Sequence, residues 1–430
     1  MRARLAALAV GVVICAVAMN ATAADVPNFQ LTLEAALERV AETHPDLRVF
    51  GARQQALIAE QERASQPPAL RAGIEIENAL GRGEARGLSG AELTLSLSGV
   101  LERGGKLDAR AAFARSRFDA LAVERETRRL DLMAEVARRY LAIVAANATE
   151  DLARVDIEQR QGALEAVTHR VRAGALHDTE ALSAEVALIQ AQRELRRAEQ
   201  RGHAAQRRLA MLWGEPDAQF TITAPDPLRL AEIADESQLG SFLEQTPELT
   251  GFASAQRTAE ARLRLARSEA SADWEWQVGV RRLQGTQDDA LVGGLSLALG
   301  SRQRAEPERR SAEAELEALS IEREGSVLGL RATLIEAHER YRRAQDDVSL
   351  IGEEILPRLV KAEAAAARAF RSGAISHQDW ARQQDALIAA RRERVGIALD
   401  AHAALIEIQR LTGQSFRAES AVAHMPETRP

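Results

Sequence analysis

The sequence predicts a mainly α-helical protein with a small β part. One long helical unit is duplicated, and each copy carries two short membrane-type strands. Three observations predict this: an ordered set of internal repeats, helical stretches of coiled-coil character, and four segments of apolar–polar alternation.

The composition fits. Of 430 residues, 28% are charged and only 3% aromatic. Ala, Arg, Glu and Leu dominate long stretches, a helix-forming mixture. With 46% hydrophobic residues the chain can build a core, which excludes a disordered polyelectrolyte. A formal net charge of -7 argues against nucleic acid as a main partner.

Residues 1–23 read as an export signal. Arg2 and Arg4 supply the positive start, Leu5 to Met19 an apolar stretch too short to span a bilayer, and Ala21-Thr22-Ala23 a small-residue cleavage site. The mature chain is expected to begin near Ala24 or Asp25. The single cysteine, Cys15, lies inside the apolar stretch, behind the bulky Val12-Val13-Ile14. A lipid anchor, a disulfide and a thiolate metal site are therefore not expected in the mature chain. Without Arg2 and Arg4 there remain 54 basic against 63 acidic residues. Beyond the signal no run of 18 apolar residues occurs, so a membrane-spanning helix is excluded while a β-barrel is not.

The repeats are short but ordered. His44-Pro45-Asp46-Leu47 with Phe50 returns as Thr246-Pro247-Glu248-Leu249 with Phe252. Arg172-Ala173-Gly174-Ala175-Leu176 returns as Arg371-Ser372-Gly373-Ala374-Ile375, and Leu212-Trp213-Gly214 as Leu411-Thr412-Gly413. The offsets stay between 199 and 202 residues. This divides the chain into a first repeat over 24–214, a proline-punctuated linker over 215–236, a second repeat over 237–415 and a tail over 416–430.

Each repeat has the same predicted order. A helical segment comes first, near 32–66 and 237–270. Two strands follow, near 71–78 and 91–99, then near 274–282 and 291–299. A very long helix, a glycine turn and a last helix complete the unit. In the strands, Ile, Leu, Trp and Val alternate with Glu, Thr, Ser and Gln, the lipid-out, water-in pattern of a membrane barrel. Taken alone, any one hairpin fits equally a soluble sheet with one buried face. From Lys106 to Arg172 there is no proline, and at 1.5 Å per residue this stretch spans about 100 Å as a helix. Narrow apolar seams mark it and its partners: Leu164, Val167 and Val171 before the first turn, Leu182, Val186 and Ile189 after it. Pro357 should break or kink the equivalent helix of the second repeat.

A duplicated unit of this order behind an export signal resembles the TolC-like outer membrane factors, over about residues 30–415. Within that family the chain is similar to the CzcC type, the outer component of heavy-metal pumps. The residues that carry this are Glu75-Ile76-Glu77-Asn78, Gly81, Glu92 to Ser98, and Glu102-Arg103-Gly104-Gly105-Lys106 with Arg110. Gly99-Val100 stands where the branch usually has Gln-Pro. Four strands cannot close a barrel, and the smallest closed ones have eight. Counting and resemblance together imply a homotrimer with a twelve-stranded outer-membrane barrel and a periplasmic α-barrel. The resemblance also implies a periplasmic adaptor and an inner-membrane resistance-nodulation-division pump as partners, with no cofactor and no chemistry in the duct itself.

The glycine turns should be the periplasmic tips, because a helix reversal needs positive φ. On the residues alone they fit ordinary helix caps. The resemblance makes Arg172, Gly174, Ala175, Leu176, Arg371, Gly373, Ala374 and Ile375 the adaptor-docking residues. It likewise places Glu180 and Asp379, each six residues past a tip glycine, at the pore constriction. Solvated acids favoured by a helix start are the competing reading. Arg382 stands where the family carries a second acid. His177 and His377 are read as exposed tip residues, since no cysteine or second histidine lies near either for a metal. His402, on an apolar seam, is read as a packed histidine. The alternatives are the same duct for organic drugs or secreted proteins and, in another class, a periplasmic coiled-coil adaptor. No catalytic constellation supports an enzyme.

Overall fold

The computed structural model describes residues 29–416, so the export signal, Cys15 and the tail beyond Phe416 lie outside the described residues. Each repeat opens with a helical segment that proline divides. In the first, α1 (Leu33–Thr43) is capped by the Thr32 hydroxyl, which accepts from the Ala35 amide at 3.2 Å. Pro45 then starts α2 (Pro45–Ala64) and holds His44 extended, since a residue before proline avoids the helical region. The second repeat does the same with α5 (Glu236–Leu243) and α6 (Pro247–Ser268). The continuous segments expected at 32–66 and 237–270 are thus helix pairs.

The four expected strands form one antiparallel sheet in the order β2 (Arg71–Glu77), β3 (Glu92–Leu101), β5 (Trp274–Leu283), β6 (Asp288–Leu297). The first three keep their expected places within two residues. The last begins three residues earlier than expected. Gln287 takes positive φ and tightens the turn, so Asp288 and Asp289 join the ladder, and Asp289 pairs with Arg282 at 3.1 Å.

The register sorts the side chains by face. Ile74, Leu95, Val280 and Leu291 lie in one row across the sheet, and Gly99, Trp276 and Leu295 in another. No described element covers this face: Ile74 is 74% exposed and Leu291 90%. A continuous apolar face of this size is stable against lipid, not water. The opposite face carries Glu75, Thr94 and Arg281 in one row. Arg281 bonds there to Glu92 at 2.9 Å, Glu77 at 3.0 Å and the Thr94 hydroxyl at 3.0 Å.

Below the sheet run the long helices: α3 (Lys106–Arg172), α4 (Asp178–Ala210), α7 (Ser301–Leu350), α8 (Leu356–Ser372) and α9 (His377–Thr412). The break expected at Pro357 is a π turn over Ile351–Ile355. The Arg394 guanidinium lies against Gly352 there, where any Cβ would collide with it, and its Nε donates to the Val348 carbonyl at 3.0 Å. No described helix is long and apolar enough to cross a membrane.

Gly104-Gly105-Lys106 joins sheet to helix. Both glycines have positive φ, and Gly104 lies so close to Ser271 that a side chain there would clash. The buried Lys106 ammonium reaches Asp273 at 2.7 Å and Glu269 at 3.5 Å, and the Arg103 amide donates to the same Asp273 at 3.0 Å. The turn that starts α3 is thereby fastened to the turn that ends α6.

Midway along the helices a short parallel pair, β1 (Phe29–Leu31) with β4 (Phe220–Ile222), was not expected. It is held by Tyr140, whose hydroxyl donates to the Thr223 carbonyl at 2.7 Å. Tyr341 does the same in the second repeat, donating to the Ala231 carbonyl at 2.6 Å. Burial pushes both phenols up from 10.0 to about 12. A raised acid pKa stabilises fully below the unfolded value and is lost as pH climbs through the folded one. Tyr341→Phe should cost about 1 kcal/mol at neutral pH and lessen the extra loss of stability between pH 10 and about 12. Melting followed by circular dichroism checks it, and an unchanged midpoint would contradict it.

Candidate functional site

The two helical hairpins end side by side. At the first, α3 stops at Ala173 and Gly174 takes φ 71°. The Ala175 amide returns to the Arg170 carbonyl at 2.9 Å, which closes the last turn. At the second, Gly373 takes φ 83° and the Ala374 amide returns to the Ala369 carbonyl at 2.8 Å. Both turns are Gly-capped helix ends, as their sequences predict.

A small apolar core binds the tips together. Phe370 is fully buried, stacks on Trp380 at 5.2 Å and carries the Arg170 guanidinium 5.0 Å above its ring. Arg170 also donates to the Phe370 carbonyl at 2.5 Å. The Trp380 indole donates to Glu363 at 2.9 Å. Of the eight residues expected at a docking surface, Arg172, Gly174, Ala175, Arg371, Gly373 and Ala374 are exposed. Leu176 and Ile375 are half-buried against the Phe370 core. Sequence reasoning missed Arg170, Phe370 and Trp380. The signal was available: Phe370 and Trp380 are two of the few aromatics in the chain.

The expected pore acids differ in state. Asp379 closes a capping box: its amide donates to the Ser376 hydroxyl at 3.1 Å, and its carboxylate accepts from the Ser376 amide at 3.3 Å. It also pairs with Arg382. The Ser376 hydrogen bonds, helped by Arg382, hold this carboxyl below its ordinary value. Glu180 lies in the first turn of α4, 3.4 Å from the Nδ1 of His377. His177 is exposed, as read from sequence. His377 is not: it is 5% exposed, because it begins α9 against the edge of Phe370. His402 is half-buried, with Nε2 3.0 Å from the Pro227 carbonyl. Burial lowers its pKa, and it stays a neutral packed group.

Higher up, a buried charge network joins the repeats. Arg160 on α3 reaches Asp156 at 3.1 Å and Asp385 on α9 at 2.5 Å, and Arg392 reaches Asp156 at 3.1 Å. Among the described residues no group of three or more His, Cys, Asp or Glu side chains is placed to hold a metal ion.

The profile of the outer membrane efflux protein family matches residues 18–215. That match spans the first repeat, under half of the chain. Its fold as a whole matches solved outer-membrane channels. The outer-membrane channel OprN superposes with a TM-score of 0.75 at 18% identity, over 89% of this chain and 90% of that one. CusC gives 0.73 at 15%, over 90% and 94%. VceC of Vibrio cholerae gives 0.72 at 17%, over 90% and 97%. In sequence the chain is 22% identical to the cobalt-zinc-cadmium resistance protein CzcC of Cupriavidus metallidurans. That match covers 75% of this chain and 77% of the relative. Channels of this family are passive homotrimeric ducts that work with adaptor and pump partners. Proteins of this family are outer-membrane proteins with a periplasmic α-barrel, an architecture that an apolar sheet above long helices fits.

Ala at the Gly373 position would need positive φ and would stand 3.3 Å from the Arg170 side chain. Gly373→Ala should therefore loosen the second tip by about 1 kcal/mol. Limited trypsin digestion should show faster cleavage after the exposed Arg371. Unchanged cleavage would mean that the turn does not depend on the left-handed residue.

Proposed function

We propose that three copies of this chain form the exit duct of a tripartite pump for divalent heavy-metal cations. The pump would be a proton-driven resistance-nodulation-division transporter of the inner membrane, reached through a periplasmic adaptor. The observation that carries the cargo is the relation to CzcC over three quarters of the chain, together with the Glu75–Arg110 stretch that resembles this branch.

Physical features support the reading. The polar face of the sheet carries Glu75, Glu77, Glu92 and Glu275 against Arg71 and Arg281. An acidic wall favours cations in transit. The chain is edged on both sides. β2 and α4 lie on one edge, with Leu182, Val186 and Ile189 of α4 exposed. β6 and α7 lie on the other, where Ile321, Leu328 and Ile335 are exposed at seven-residue steps. Head-to-tail closure joins these edges and gives twelve strands.

In this reading the repeats are 24–214 and 237–415, joined by 215–236. The turns Arg172–Leu176 and Arg371–Ile375 meet the adaptor, with Leu176 and Ile375 shaping the surface from below. Glu180 and Asp379 stand at the periplasmic constriction. The cargo assignment rests on sequence relation and not on shape, since OprN and CusC superpose equally well.

Deleting the gene should sensitise cells to zinc, cobalt or cadmium more than to dyes and antibiotics. Growth on graded metal and drug plates reads this directly. Sensitivity confined to organic compounds would transfer the duct to drug export.

A further inference from the structure

We propose that the rim of the sheet farthest from the helices binds lipopolysaccharide, the phosphorylated and acylated glycolipid of an outer leaflet. The inference rests on the apolar sheet face lying in lipid.

The register arranges this face in rows, about 7 Å apart along the strands. Nearest the helices stand Leu101, Trp274 and Leu297, then Gly99, Trp276 and Leu295. A row through Leu97 and Val278 follows, and then Ile74, Leu95, Val280 and Leu291. The last row differs. Beside Ile76 and Leu93 it carries Arg282 and Asp289. Charge thus enters this face only at the end away from the helices.

The two rims have different chemistry. The helix-side rim has indoles, and the Arg103 guanidinium lies 5.3 Å over the Trp274 ring. Indoles suit the headgroup level of ordinary phospholipid. The far rim has no aromatic side chain on this face or in the loop over 78–91. It has guanidinium groups and leucines in their place, which points to a different lipid on that side.

The loop over 78–91 is closed on itself. The Leu80 amide donates to the Gly87 carbonyl at 2.7 Å, and the Gly81 amide to the Ala85 carbonyl at 2.8 Å. Leu80 takes φ 63°, which leucine rarely adopts, and its side chain is 82% exposed. Leu88, on the other arm, is 64% exposed. Water gives such a placement no return, whereas acyl chains extend the apolar face to meet it.

The charges fit phosphate. The loop carries two arginines against one glutamate. Arg82 and Arg86 are exposed, and neither forms an ion pair among the described side chains. Arg282 pairs with Asp289 at 3.1 Å, with both side chains in contact with solvent. An exposed pair of this kind is weak, so a phosphate competes for Arg282. Guanidinium grips phosphate with two parallel hydrogen bonds. Lipopolysaccharide brings phosphates at the headgroup level with acyl chains directly beneath, and the rim meets both.

The test uses the full-length protein, purified in detergent as the assembled particle and stripped of lipid, as wild type and as Arg82→Ser/Arg86→Ser. Native mass spectrometry against graded lipid A, lipid A without its phosphates, and phosphatidylglycerol reads the affinities. Wild type should bind lipid A about tenfold more tightly than the dephosphorylated form, the worth of one hydrogen bond to a charged group. The double variant should bind both forms alike and keep its affinity for phosphatidylglycerol. Lipid A bound equally with and without its phosphates, or a double variant that retains the preference, would overturn the rim site. A double variant that loses phosphatidylglycerol to the same degree would overturn the assignment to lipopolysaccharide. A wild-type protein that takes up no lipid of any kind would overturn the lipid-facing sheet, and the site with it.

Discussion

The constraint on which this structure depends is the unpaired edge. A four-stranded sheet with an apolar face can be stable only in lipid, and lipid leaves no water to satisfy the open N–H and C=O groups of β2 and β6. The chain must therefore be completed by further chains, and the sheet must close on itself. The helices obey the same rule in water, where the exposed seams of α4 and α7 call for apolar partners. One missing neighbour explains both layers.

Closure in the membrane reaches the periplasm through the Lys106 junction. Lys106 comes from the first repeat and Asp273 from the second, and their ion pair lies where strands become helices. Removing one partner would leave a charge poorly solvated, a costly change for a buried group. Gly104 has the opposite duty: it leaves room for Ser271 so that the two turns can touch. Further from the membrane Tyr140 and Tyr341 each tie their own repeat to the linker at the middle, and the repeats are tied to each other by Arg160 with Asp385 above the tips and by the Phe370 core at the end. The π turn at 351–355 interrupts only the second repeat, so its hairpin has a compliant point that the unbroken α3 lacks.

Much of the fold was legible because period-two and coiled-coil patterns are set by solvent and lipid, which act on every residue of an element. The alternation at Leu93 to Ser98 and the seam at Leu164 to Val171 are examples. The helix breaks at Pro45 and Pro247 are written locally, but the helical periodicity on either side of each proline reads as one longer segment. The start of β6 was missed because Asp288 and Asp289 look like loop residues, and only the cross-strand pairing of Arg282 with Asp289 draws them into the ladder. The two tyrosines stand 201 residues apart and are the only ones in the chain, a repeat signal as strong as the glycine turns. At the tips, the turns were readable because left-handed φ needs glycine. The burial of His377 was not, because it depends on Phe370 and on Glu180 from the other repeat, contacts that no local pattern encodes.

Three copies of the chain must close one barrel. Measuring the mass of the protein extracted from outer membranes in mild detergent tests this most directly. A particle of three chains is the predicted result. A single chain, recovered stable and free of membrane, would contradict it.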